Sequence, residues 1–129
     1  MGDIEALQKR IIDFCEARDW KQFHNVKDLA IALNLEATEV LEHFVWKTEK
    51  ETQEYLATHK NEVGEELADT LYWILLMASD VGIDLKKTFN DKMDKNEKKY
   101  SVEKPKGITR NTLNWKKNDS LLGDKSKVS

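Results

Sequence analysis

Two pairs of acids carry the strongest chemical signal in this chain. Glu36 and Glu39 are three residues apart, as are Glu66 and Asp69, and residues at that spacing are neighbours on one face of a helix. If the two helices face each other, four oxygen-bearing side chains converge. Such a set suits a hard divalent cation, above all Mg²⁺, which keeps part of its water shell and usually bridges to phosphate oxygens. Acid pairs at this spacing are common on solvated helices. These two differ in their company, because each is flanked by buried-looking residues and followed on its own side by a tryptophan, Trp46 or Trp73. A di-iron bundle is the weaker reading: it uses Glu-x-x-His pairs, whereas Glu39 and His43 are four apart.

The stretch that must position the second pair is residues 62–79, EVGEELADTLYWILLMAS. Plotted as a helix, Glu62, Glu65, Glu66, Asp69 and Trp73 fall on one side, and Val63, Leu67, Leu71, Ile74 and Ala78 on the other. Trp73, Leu76 and Met77 continue the acidic side, so from Tyr72 onward the helix is apolar all round. A helix of that kind is normally buried. The acidic side therefore runs into the protein, where carboxylates need a partner and a cation is the obvious one.

Three further helices follow from periodicity and caps. Asp3 is a candidate N-cap for a first helix marked by Ile4, Leu7, Ile11, Phe14 and Cys15, ending near Arg18. Asn25 caps a second, with Leu29, Leu33, Ala37, Val40 and Phe44 on one stripe, running to about Thr48 and carrying Trp46 on the side of Glu39. Residues 47–61 are polar and weakly periodic, and read as a loop or a short helical connector. The third helix is the 62–79 stretch, closed by Gly82. Asp84 caps a fourth with Leu85, Phe89 and Met93 on its buried side. Between the first two helices, RDWKQFHN crowds Trp20, Phe23 and His24 into a short connection, either as a plug folded back on the core or as ligand contacts.

Composition agrees with an all-α chain. In 129 residues there are 1 Pro and 5 Gly, with 35% charged residues spread among periodic apolar positions. The single cysteine, Cys15, rules out an internal disulfide framework and fits a reducing, cytoplasmic setting with a packing role. The longest apolar run, residues 71–78, is far short of the roughly 20 residues of a membrane helix, and the N-terminus has no apolar signal core. Residues 1–103 hold 22 acids against 14 Lys or Arg, whereas residues 104–129 hold 2 against 7. An acidic body argues against binding duplex nucleic acid. The expected organisation is an antiparallel four-helix bundle-like domain over 1–103 and an extended basic tail over 104–129, which could wrap a neighbouring subunit.

Taken together, EATEVLEHFVW and EELADTLYW resemble the E-x-x-E … E-x-x-D signature of the all-α nucleotide pyrophosphohydrolases, the MazG-like superfamily. RDWKQFH before them and KMDKNEKKYSVEKPKG after them resemble its dCTP pyrophosphatase branch. The similarity runs over residues 14–107. Leu35 stands where the broader pattern often has another acid, and Thr38 and His43 also depart from close relatives.

The resemblance implies hydrolysis of a nucleoside triphosphate to the monophosphate and pyrophosphate, with dCTP or a related deoxynucleotide as substrate and clearance of unwanted nucleotides as the purpose. It implies Mg²⁺ held by Glu36, Glu39, Glu66 and Asp69, with Glu36 or Glu39 as general base. Trp20, Trp46 and Trp73 would stack on the base beside Phe23 and His24. Arg18, Lys92, Asn96, Lys99 and Tyr100 would meet phosphate or sugar. It also implies a homotetramer, or failing that a dimer, in keeping with helices that are apolar on more than one side. The rival from another class is a non-catalytic helical interaction protein whose acidic face binds a partner.

Overall fold

The computed structural model describes residues 2–102, and every regular element in them is helical. α1 spans Asp3–Ala17, α2 Val26–Glu42, α3 Glu49–Asp80 and α4 Leu85–Lys99, with a short 3₁₀ turn at Lys21–Phe23. The expected all-α class is the observed one. The chain divides into two compact units, Met1–Asp91 and Lys92–Ser129, so the change of unit falls within α4. The expected basic tail, residues 104–129, lies outside the described residues.

Local chemistry explains most helix ends. The Asn25 side chain accepts from the Asp28 N–H at 2.9 Å and so caps α2. The carboxylate of Asp84 does the same for Lys87 at 3.1 Å, at the start of α4. α3 ends as expected at Gly82, whose φ of 74° suits a residue without Cβ. There Ile83 N–H donates to the Ala78 carbonyl at 2.8 Å and Gly82 N–H to Ser79 at 3.3 Å, the paired bonds of a Schellman stop.

Four expectations need correction. The cap of α1 is Gly2, not Asp3, which is the first helical residue. α2 stops at Glu42 rather than near Thr48, because residues 43–46 turn and a new capping box forms at once: Thr48 Oγ1 accepts from Glu51 N–H at 3.2 Å while Glu51 reaches back to Thr48 N–H. The polar connector of residues 47–61 is therefore the first part of α3. Its inward stripe is Thr52, Tyr55, Leu56, His59 and Val63, helical in spacing but too polar to score as apolar. Finally, α4 buries none of its residues, and Phe89, expected on its inner side, is 62% exposed.

α3 is not straight. His59 has φ −120° and ψ 21°, and its imidazole Nδ1 lies 3.2 Å from the Tyr55 carbonyl oxygen, one turn back. A side chain that competes for that carbonyl kinks a helix. Its ring stacks on Tyr55 at 4.1 Å.

α2 and α3 run antiparallel and form the main packed pair. Leu29 near the start of α2 meets Leu76 near the end of α3, whereas the Phe44 ring after α2 lies 6.1 Å from Tyr55 near the start of α3. α1 crosses α3 at its C-terminal half, where Gln8 Nε2 donates to the Leu75 carbonyl at 3.1 Å and Cys15 Sγ lies 3.2 Å from Tyr72 Oη. Cys15, Leu29 and Leu76 form the core cluster, with Ile11, Tyr72, Trp73 and Met77 against it. Cys15 has the packing role expected of it. No described helix is long and apolar enough to cross a membrane.

Candidate active site

Antiparallel pairing brings the middle of α2 opposite the middle of α3, and with it the two acid pairs. One oxygen each from Glu36, Glu39 and Glu66 lies within 4.8 Å of the others. Asp69, one helical turn beyond Glu66, is near enough to act electrostatically on both Glu36 and Glu66. Glu36 and Glu66 are half-buried and Glu39 is exposed, so the group sits at the margin of the α2–α3 seam.

The electrostatics are those of crowded like charges. Burial, followed by the Glu39 carboxyl and the charges of Glu39 and Asp69, pushes the Glu36 carboxyl above the usual range, while the Trp73 indole N–H pulls the other way. Glu66 is pushed up to about 7, first by the facing Glu39 carboxyl, which rewards a shared proton, then by desolvation and the charges of Glu39, Glu36 and Asp69. Ionised carboxylates are acceptors only. The buried Oε2 atoms of Glu36 and Glu66 meet no hydrogen-bond donor among the described residues. Acceptors of one charge at metal-ligand separation fit a hard divalent cation, which Glu36, Glu39 and Glu66 are placed to hold, with Asp69 adding its charge beside them.

The cluster opens onto a cleft of about 600 Å³ between α1 and α3, in which Glu36 and Asp69 meet Phe14, Trp20, Tyr72 and Trp73. Its aromatic walls meet edge to face. Phe14 lies 5.4 Å from Trp20 and 6.3 Å from Tyr72, and Tyr72 lies 5.0 Å from Trp73. Trp20 reaches the cleft because Asp19 adopts φ 53°, turning the chain so that Trp20 N–H returns to the Cys15 carbonyl at 3.0 Å. Gln22 Nε2 donates to both the carbonyl and the carboxylate of Asp19 and holds that turn.

The profile of the MazG-like family matches residues 31–113. The chain belongs to the MazG-like family. It is similar to dCTP pyrophosphatase 1 of Rattus norvegicus, 32% identical over 106 residues that cover 81% of this chain and 62% of the relative. The enzyme of that name from Homo sapiens is 31% identical over 109 residues, 83% of this chain and 64% of the relative. The chain thus spans less than two thirds of the length of these relatives. A pyrophosphatase from Archaeoglobus fulgidus, known from its crystal structure, superposes with a TM-score of 0.73 at 34% identity, covering 78% of this chain and 94% of that one.

Within this MazG-like chain the other candidate residues are dispersed. Trp46 is 91% exposed in the turn after α2, so the expected continuation of the Glu39 face does not exist. His24 lines a separate small pocket with Lys21, Ser79 and Asp80, and Phe23 is exposed. Arg18 is held against Phe14, its guanidinium 3.8 Å from the ring centre and its Nη1 donating to the Phe14 carbonyl. Lys92, Asn96, Lys99 and Tyr100 belong to the unit that begins at Lys92.

Thr38 turns its hydroxyl back to the Asn34 carbonyl at 2.9 Å, and His43 Nδ1 pairs with Tyr55 Oη. Reading the sequence missed Phe14 and Tyr72 as cleft walls, taking both as core, and missed Arg10 altogether. The signal was present: Leu7, Arg10, Ile11 and Phe14 share one helical stripe.

Proposed function

We propose that this chain is a nucleoside triphosphate pyrophosphohydrolase, cutting between the α and β phosphates to release the monophosphate and pyrophosphate. Mg²⁺ is its cofactor, dCTP or a related deoxynucleotide its substrate, and clearance of unwanted nucleotides in the cytoplasm its role. The observation that carries this reading is the pair of buried oxygens on Glu36 and Glu66 that meet no donor among the described residues, with Glu36 itself lining an aromatic-walled cleft. A triphosphate and an acidic cluster repel each other, so the cluster makes sense only with a divalent cation between them.

Glu36, Glu39, Glu66 and Asp69 would hold the cation, which when bound neutralises phosphate charge and lowers the pKa of a water. An oxygen of Glu36 or Glu39 left free accepts the proton of the attacking water. Trp20 and Trp73 offer faces to the base, and Phe14 and Tyr72 close the walls around it and thin out bulk water. Arg18, His24, Trp46, Lys92, Asn96, Lys99 and Tyr100 remain candidates for substrate contacts supplied as the protein assembles. A homotetramer, with a dimer as second choice, is supported by Leu35, Leu41 and Leu67, all more than half exposed on α2 and α3.

The test is pyrophosphate release from a panel of deoxy- and ribonucleoside triphosphates, with Mg²⁺ and with chelator, beside Asp69→Asn. Release should require the metal and be strongest with dCTP. In the variant it should fall by roughly 100-fold or more, at least the loss seen when residues behind a metal ligand are changed. Absence of release from every nucleotide would remove the enzymatic reading and leave the interaction-protein alternative.

A further inference from the structure

We propose that Arg10 reads the edge of the nucleotide base and so determines which bases the cleft accepts, an inference that rests on the nucleotide-binding reading above. Arg10 lines the same cleft as Glu36, Asp69 and the aromatic walls. It differs from the other arginine nearby. Arg18 is committed to the ring and carbonyl of Phe14, whereas Arg10 has no acceptor among the described residues.

Its position argues for the base rather than the phosphates. α1 is pinned to α3 at two points: Gln8 reaches the Leu75 carbonyl, and Cys15 meets Tyr72. Arg10 lies between them in sequence, nearer the first, and so stands level with the stretch from Tyr72 to Leu75. Leu75 is six residues beyond Asp69, about 9 Å along the helix at 1.5 Å per residue. From the acids onward, the cleft therefore runs through Trp73, Tyr72 and Phe14 before it reaches Arg10. A nucleotide with its phosphates at the carboxylates and its base between the rings would present the outer edge of that base to Arg10.

A guanidinium is a planar fork of donors with no acceptor. It pairs in two-pronged fashion with two adjacent acceptors, such as O6 and N7 of guanine or O2 and N3 of cytosine. Thymine interposes an N–H between its carbonyls, and adenine places an amino donor beside N7. The ligand class is thus a nucleotide whose base carries adjacent acceptors, and it excludes thymine and adenine.

The test follows tryptophan fluorescence of the 129-residue chain, with Trp20 and Trp73 in the cleft, during titration with dCMP, dGMP, dTMP and dAMP. Either dCMP or dGMP, or both, should bind about 10-fold or more tighter than dTMP and dAMP, within the discrimination expected of a two-pronged contact. Arg10→Gln should abolish that preference and leave dTMP and dAMP nearly unchanged. Arg10→Lys should fail to restore it, because a point charge lacks the fork. No preference in the parent chain, or equal weakening of all four monophosphates that Lys repairs, would overturn the inference; the latter would mark a phosphate contact. Base-selective binding that depends on Arg10, with no triphosphate turned over, would uphold it and remove the hydrolase reading alone. Turnover with Arg10 irrelevant to base choice would do the reverse.

Discussion

Leu29 and Glu36 sit seven residues apart on one helix, about 10 Å along its axis, and meet α3 on opposite terms. Leu29 is 1% exposed and packs with Cys15 and Leu76, a burial worth roughly 1.5–3 kcal/mol. Glu36 joins Glu39, Glu66 and Asp69 in a crowd of like charges, in which a buried oxygen of Glu36 and one of Glu66 meet no donor among the described residues. The first contact holds the two helices together, while the second pushes them apart until a proton or a cation arrives. A crowd of half-buried carboxylates of one charge contributes little to folding by itself, and the apolar end of the same helix pair offsets the difference.

The largest effect should come from removing that offset. Leu29→Ala leaves a cavity in a cluster of very few fully buried side chains, and should destabilise by about 2–5 kcal/mol. Urea denaturation measures it. A loss below about 1 kcal/mol would mean that α2 and α3 are held together elsewhere, and the contrast between the two regions would collapse.

The pH dependence of the metal-free protein sharpens the other side of the comparison. Glu66 is raised from about 4.5 to about 7, and Glu36 is raised as well. Since the folded state then holds protons that the unfolded state has released, stability falls as pH rises through this window. The contribution of both groups is greatest below pH 4.5, and that of Glu66 is lost as pH rises through about 7. In chelator, the melting temperature should therefore drop between pH 5 and pH 8. Mg²⁺ should reduce the drop by stabilising the ionised cluster, and Glu66→Gln should flatten it. A melting temperature that rises over the same range in chelator would show that ordinary ion-paired carboxylates dominate and that the cluster carries little strain.

Much of this arrangement could be read in the residues. The acid pairs, the caps at Asn25 and Asp84, the stop at Gly82 and the all-helical class all rest on short-range chemistry, which spacing exposes directly. Their convergence needed only one assumption, that the two helices run antiparallel. What escaped depended on longer-range or less typical signals. The inward stripe of early α3 uses Thr52, Tyr55 and His59, polar residues that become half-buried: His59 stacks on Tyr55, the Tyr55 hydroxyl meets His43, and the Thr52 hydroxyl turns back to the Thr48 carbonyl. Phe14 and Tyr72 are apolar at helical spacing, and nothing local separates a core residue from a cleft wall. Trp46 misled because the α2 pattern runs straight through the turn, where Thr48 and Glu51 restart the helix.

The smallest effect belongs to that restart. Thr48→Ala removes the acceptor for Glu51 N–H and should destabilise by about 1 kcal/mol, the usual loss for an N-cap. It should also act locally. The kink at His59 separates the first turns of α3 from the part that carries Val63, Glu66 and the residues packed on Leu29, so fraying started at Thr48 has a natural stopping point. Amide hydrogen exchange should quicken over residues 49–58 and stay unchanged over residues 63–80. Faster exchange extending past Val63 would show α3 opening as one piece, with the carboxylate cluster held from both ends rather than from the Leu29 side alone.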